Sequence, residues 1–275
     1  MSGRRPLKSL GQNFLVDRNI IDKIIRSADI DPQDAVLEIG PGRGALTEHL
    51  VQRAGRLVLV EYDHVLAANL AERYQDDPRV TVVDADILTV DLIHLLGENP
   101  AAWKVVANLP YNISSPVLFK LLEYRLLFSR MVLMLQREVG ERLVAAPGCS
   151  DYGVTTALLG LWFDMRREFI VPPGCFHPRP KVDSAVISFV PLVKPRVEVG
   201  NEETYRRVVK GAFAMRRKTL ANCLKATKLA DVEELNRVLD TCGIDGQRRG
   251  ETLSLDEFAF LSRCLSSGNV QPGKD

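Results

Sequence analysis

Leu37-Glu38-Ile39-Gly40-Pro41-Gly42-Arg43-Gly44-Ala45-Leu46-Thr47 runs from an apolar strand pattern through a glycine-rich turn into a helical pattern. Glycines at 40, 42 and 44 carry no Cβ and so let a ligand approach the backbone closely. The spacing is not the G-x-G-x-x-G of dinucleotide-binding turns, so a pyrophosphate reader is not indicated. The apolar run Ala35–Ile39 ahead of the turn has counterparts at Leu57–Glu61, Val80–Val83, Lys104–Ala107 and Met131–Gln136. Rich in Val, Leu and Ile with little polar alternation, these read as strands buried on both faces. Helical patterns at Ala45–Arg53, Leu66–Tyr74, Pro116–Tyr124 and Arg137–Ala145 separate them. Such alternation predicts an α/β fold, a doubly wound Rossmann-like sheet, with strands near Phe163–Ile170 and Ser184–Val190 completing its edge.

Successive strand ends then carry chemistry. The second run ends in Glu61, about 20 residues past the glycines, where an acidic side chain binds ribose hydroxyls. The third leads to Asp84-Ala85-Asp86, where a carboxylate can accept from an adenine amino group. The fourth ends in Asn108-Leu109-Pro110-Tyr111-Asn112. An amino group on an aromatic ring has its lone pair spread into the ring, and attack on carbon needs acceptors for both of its N–H bonds. Asn108 Oδ1 and a backbone carbonyl near Pro110 are the candidates. Pro110 fixes its own φ and holds Leu109 extended, and Tyr111 offers a ring for stacking. Each element alone is also a common loop feature. The ordered set is the pattern of S-adenosylmethionine-dependent methyltransferases.

The chain has 275 residues, 46% hydrophobic and 26% charged, enough for one large domain and a smaller one. No apolar run approaches the ~20 residues of a membrane span, and Arg4, Arg5 and Lys8 precede no apolar signal region. The five cysteines are scattered without a Cys-x-x-Cys pair. That excludes a zinc or disulfide framework and points to the cytoplasm. Net charge is only +1, yet eight basic residues and no acidic one lie between Thr204 and Lys228. Arg206, Arg207, Lys210, Arg216, Arg217 and Lys218 are the expected RNA-phosphate contacts. Pro191, Lys194 and Pro195 mark a break, after which helices are expected at Glu203–Phe213, Lys218–Leu224, Val232–Cys242 and Leu255–Leu265, with Gly243 as a stop. The division expected is therefore a catalytic domain over 1–193, a small all-helical RNA-binding domain over 194–265 and a flexible tail over 266–275.

Several longer motifs make the reading specific. Gly11-Gln12-Asn13-Phe14-Leu15, Gly40–Thr47, Asn108–Val117, the segment Phe176-His177-Pro178-Arg179-Pro180-Lys181-Val182-Asp183-Ser184-Ala185-Val186 and Arg216–Leu220 resemble the small-subunit rRNA adenine dimethyltransferases, the KsgA family, over residues from about 8 to 265. The resemblance implies transfer of four methyl groups from S-adenosylmethionine to N6 of two adjacent adenosines in the 3′-terminal hairpin of 16S rRNA. It implies cofactor roles for Asn13, Leu15, Gly40, Glu61, Asp86 and Asn108, and base contacts for Asn108, Leu109, Pro110, Tyr111 and Phe176. Phe176 lies among Pro172, Pro173, Pro178 and Pro180, which suits a fixed loop holding a second stacking ring. The implied partner is 16S rRNA in a small subunit or its precursor, met by a monomer. Methylation of 23S rRNA and an assembly factor acting mainly by binding are the competing readings. A DNA adenine methyltransferase is disfavoured, because those commonly place an acid where this chain has Asn108.

Overall fold

The computed structural model describes residues 13–215 and 217–267. Arg4, Arg5, Lys8, Gly11, Gln12, Arg216 and the tail from 268 lie outside the described residues. The chain forms two compact units. One comprises the described residues up to Glu141 together with Asp164–Pro191; the other comprises Arg142–Phe163 together with the described residues from Leu192 on.

The first unit is built in chain order from β1 (Phe14–Leu15), α1 (Arg18–Ala28), β2 (Ala35–Ile39), α2 (Thr47–Val51), β3 (Arg56–Glu61), α3 (His64–Arg73), β4 (Val80–Asp84) and α4 (Leu92–Leu96). It continues through β5 (Trp103–Asn108), α5 (Ser114–Glu123), β6 (Phe128–Gln136) and the start of α6 (Arg137–Leu143). After α7 (Val154–Gly160) of the second unit, it is completed by β7 (Phe163–Val171), β8 (Phe176–His177) and β9 (Ser184–Pro191). The seven-stranded sheet has the order β4-β3-β2-β5-β6-β9-β7, as the doubly wound reading requires. β2 pairs in parallel with both β3 and β5, β3 with β4, and β5 with β6; β9 runs antiparallel to β6. Val36, Val58, Val106 and Val132 are fully buried, because helices cover both sheet faces.

Helix α1, not among the expected helices, has a clear apolar pattern. Ile20, Ile21, Ile24, Ile25 and Ala28 fall on one face and are buried, in the core cluster with Val106, Val132 and Val186. Asp17 caps its start by accepting from the N–H groups of Asn19 and Ile20. Burying such a face contributes roughly 1.5–3 kcal/mol per isoleucine. Beside the main sheet, β1 and β8 form a two-stranded antiparallel ribbon, pairing Phe14 with His177 and Leu15 with Phe176.

In the second unit, α8 (Glu202–Ala212), α9 (Leu220–Lys225), α10 (Val232–Cys242) and α11 (Leu255–Ser267) pack with α7 around Tyr205, Val208, Leu220, Leu239 and Phe258. Tyr205 donates its hydroxyl to the Ala157 carbonyl at 3.1 Å. Gly243 ends α10 in a left-handed cap, the stop read from the sequence. A Cβ on Gly211 would come within 2.2 Å of Thr227 Cγ2, so α8 meets the end of α9 over bare backbone. On α8 the buried residues Tyr205, Val208, Val209 and Ala212 leave Arg207 and Lys210 exposed one turn apart, with Arg206 half-buried. These three, with exposed Arg217 and Lys218, form no ion pair with any described residue.

No helix among the described residues is long and apolar enough to cross a membrane.

Candidate active site

The chain order of the sheet reverses between β2 and β5, the place where open α/β sheets bind ligands. There the loops after β2, β3, β4 and β5 enclose a cavity of about 330 Å³. After β2, Gly40 and Gly42 take positive φ values of 64° and 59°, which side chains disfavour. A Cβ on Gly40 would meet nothing nearer than Pro110 Cδ at 4.0 Å, so this strand end opens onto cavity space. One on Gly42 would press on the Phe14 ring at 3.1 Å.

Glu61, at the end of β3, is buried. Its Oε2 accepts from the Gly42 N–H at 2.8 Å and its Oε1 from the Asp63 N–H at 2.9 Å. One carboxylate thus holds the glycine turn and the entry to α3 while lining the cavity. Burial raises its pKa, and those two amides oppose the rise. Glu38, on β2, lines the same wall. Burial pushes its carboxyl up to about 8, against the Thr47 hydroxyl that donates to it at 2.7 Å and with added repulsion from Glu61. Asp86 follows β4, and its Oδ1 accepts from the Leu88 N–H at 2.9 Å.

The end of β5 supplies the opposite wall. Asn108 donates from Nδ2 to the Asn13 carbonyl at 3.2 Å. Only the NH₂ end of an amide can donate to a carbonyl, so Oδ1 remains as an acceptor. The Leu109 N–H is engaged by the Met134 carbonyl at 3.1 Å. The Pro110 carbonyl accepts twice, from the Ile113 N–H at 3.2 Å and from Ser114 Oγ at 3.1 Å, which starts α5. Its two lone pairs are thereby taken. Tyr111 shares a hydrogen bond with Ser184 Oγ at 2.8 Å, and burial raises its pKa.

Asn13, Leu15, Gly40, Glu61, Asp86, Asn108, Leu109, Pro110 and Tyr111 all line this one cavity. Phe176 does not. It is 4% exposed and packs in the core with Leu15, Ile20, Val171 and Cys175, because its pairing with Leu15 turns both side chains inward. Glu38, Phe14, Tyr62 and Ile87, none of them a site residue expected from the sequence, also line the cavity. Tyr62 and Ile87 directly follow Glu61 and Asp86. An acid followed by an apolar residue at two successive strand ends was the available signal.

The carboxylates Glu61 and Asp86, with the Glu38 carboxyl held neutral by burial, line the cavity against one cation among the described residues, Arg43, whose guanidinium lies 4.4 Å from the centre of the Phe14 ring. That set suits a ligand with positive charge and hydroxyl donors and repels phosphate, so the residues fit S-adenosylmethionine. No group of metal-ligating side chains occurs among the described residues.

The sheet order, with an antiparallel β9 between β6 and β7, and the acidic cavity at the switch point together define a Rossmann-like methyltransferase. Residues 4–262 match the family model described as ribosomal RNA adenine dimethylase. A Geobacter metallireducens protein named ribosomal RNA small subunit methyltransferase A is 59% identical over 265 residues, 96% of each chain. A dimethyladenosine transferase structure from Plasmodium falciparum superposes with a TM-score of 0.77 at 27% identity, over 90% of this chain and 95% of that one. The structure of the 23S rRNA methyltransferase ErmE gives 0.69 at 28% identity, over 92% and 100%. The chain belongs to the ribosomal RNA adenine dimethylase family.

Proposed function

We propose that the protein transfers methyl groups from S-adenosylmethionine to N6 of two adjacent adenosines in the 3′-terminal hairpin of 16S rRNA, giving N6,N6-dimethyladenosines. Membership of the family and the 59% identity to a small-subunit methyltransferase support this reaction over 23S rRNA methylation. The observation that carries it is the oriented amide of Asn108, held by Asn13 on the wall of a cavity that Glu61 and Asp86 also line.

Asn13, Leu15, Gly40, Glu61 and Asp86 would hold the cofactor. When bound, S-adenosylmethionine supplies a methyl group on a positively charged sulfur. The chain's own residues do the rest. The target adenine leaves its stack, and Tyr111, steadied by Ser184, gives it a face worth ~1–3 kcal/mol. Asn108 Oδ1 and a backbone carbonyl of the Asn108–Asn112 motif accept the two N6 hydrogens, which concentrates the lone pair on nitrogen. After one methylation a single hydrogen remains, and one acceptor suffices to hold it. The product ammonium is acidic enough to lose its proton to water, so no side-chain base is required. Catalysis rests on positioning and electrostatics.

The protein acts as a cytoplasmic monomer in small-subunit biogenesis, and Arg206, Arg207, Lys210, Arg217 and Lys218 bind RNA phosphates. Purified small and large ribosomal subunits lacking the modification test the reading. The expected result is N6,N6-dimethyladenosine in small-subunit RNA alone, seen by mass spectrometry and absent with Asn108→Ala. Methylation of the large subunit, or full activity of that variant, refutes it.

A further inference from the structure

Lys120 lies in the last turn of α5, the helix that begins directly after the acceptor motif. Its side chain is half-buried, with the ammonium 5.6 Å from the centre of the Tyr124 ring. The Nζ donates to two backbone carbonyls of the loop after β4, Leu88 at 3.1 Å and Val90 at 2.5 Å. That loop coils around Asp86: the Leu88 N–H reaches Asp86 Oδ1, while the N–H groups of Thr89 and Val90 reach the Asp86 carbonyl. Asp86 and Ile87 line the cavity at the other end of the same turn. The start of α5 is fixed in turn to the acceptor motif by the bond from Ser114 Oγ to the Pro110 carbonyl.

We infer that Lys120 is a positioning residue: it ties the Asp86–Val90 loop of the methyl-donor site to the helix carrying the acceptor motif, and so sets the affinity for S-adenosylmethionine without touching it. The inference rests on the cavity being the S-adenosylmethionine site. The chemistry suits a cation. Two carbonyls converge on one point, and an ammonium is a compact charge with three donors. Charge-assisted bonds of this kind contribute more than neutral ones. Without the ammonium the loop keeps its local turn but loses its tie to α5.

The test is calorimetric titration of S-adenosylmethionine into wild type, Lys120→Met and Lys120→Arg, with thermal unfolding of each protein without ligand and binding of a 3′-terminal hairpin RNA. Lys120→Met, which keeps length and removes all donors, is expected to weaken S-adenosylmethionine binding by about tenfold or more. Its RNA affinity should stay within about twofold of wild type, and Lys120→Arg should restore most of the loss. If Lys120→Met does not fold, Lys120→Gln, with one donor group left, carries the same expectation at smaller size. Unchanged binding by the folded variant overturns the inference. So does a parallel loss of S-adenosylmethionine and RNA binding that Lys120→Arg fails to rescue. A wild-type protein that does not bind S-adenosylmethionine overturns the reading of the cavity itself.

Discussion

Replacing Glu38 by Gln should make the ligand-free protein more stable in mild alkali and flatten its pH dependence. Glu38 is fully buried on β2, and its carboxyl is pushed from an ordinary value of 4.5 up to about 8, chiefly by burial. Because the folded state holds this proton more tightly than the unfolded state, the associated stability is fully present below 4.5 and is lost as pH rises through 8. The slope is ~1.4 kcal/mol per pH unit where the two states differ by a whole proton. Across the window the loss reaches about 5 kcal/mol as an upper bound, since relaxation and water entry soften the cost of a buried charge. Gln cannot ionise, fills nearly the same volume, and its carbonyl still accepts the Thr47 hydroxyl. Urea unfolding of both proteins at about pH 5 and about pH 8.5 reads the difference, with every other titrating group common to the pair. Stability of Glu38→Gln relative to wild type should rise by several kcal/mol between the two conditions. A difference independent of pH would refute the argument that Glu38 is held neutral by burial.

Three further perturbations separate structural from functional roles. Phe176→Ala should cost about 3–5 kcal/mol in chemical denaturation, because the ring is core; unchanged stability with weakened RNA binding would return it to a stacking role. Reversing Arg207, Lys210 and Lys218 to Glu should weaken RNA binding and lower the slope of log affinity against log salt by up to about three contacts' worth, with S-adenosylmethionine binding untouched. An unchanged slope would make these residues ordinary solvated charge. Gly211→Ala should destabilise the helical unit by ~1–3 kcal/mol, since Thr227 has to move aside; a melting temperature equal to wild type would show the contact to be looser than 2.2 Å.

The strands were legible because burial on both faces leaves continuous apolar runs that no other element needs: Ala35–Ile39 is found with its expected bounds. Glycines and acids at strand ends were legible because their chemistry is local to each loop. Tyr62 and Ile87 were readable by the same logic, one residue further along. What the sequence does not display are bonds between distant positions. Nothing near Asn108 names Asn13 as its partner 95 residues away, and nothing near Tyr111 names Ser184, 73 residues away. Phe176 illustrates the limit most clearly. Its proline-rich setting describes a rigid loop, but whether the ring faces a ligand or the core depends on its pairing with Leu15, which only the folded ribbon decides.

That ribbon has a consequence for the order in which a growing chain becomes competent. Leu15 is synthesised long before its partner Phe176, and Tyr111 has no anchor until Ser184 follows. Most of the sheet, from β2 through β6, can assemble during synthesis of the chain up to Gln136. The part of the cavity wall formed by Leu15 and Tyr111 is held in place only when the later segment Phe176–Ser184 returns to lie against it. A polypeptide that stops at Gln136 therefore carries five of the seven strands of the main sheet, β2 to β6, but neither the Leu15–Phe176 pairing nor the Tyr111–Ser184 bond that steadies the cavity wall.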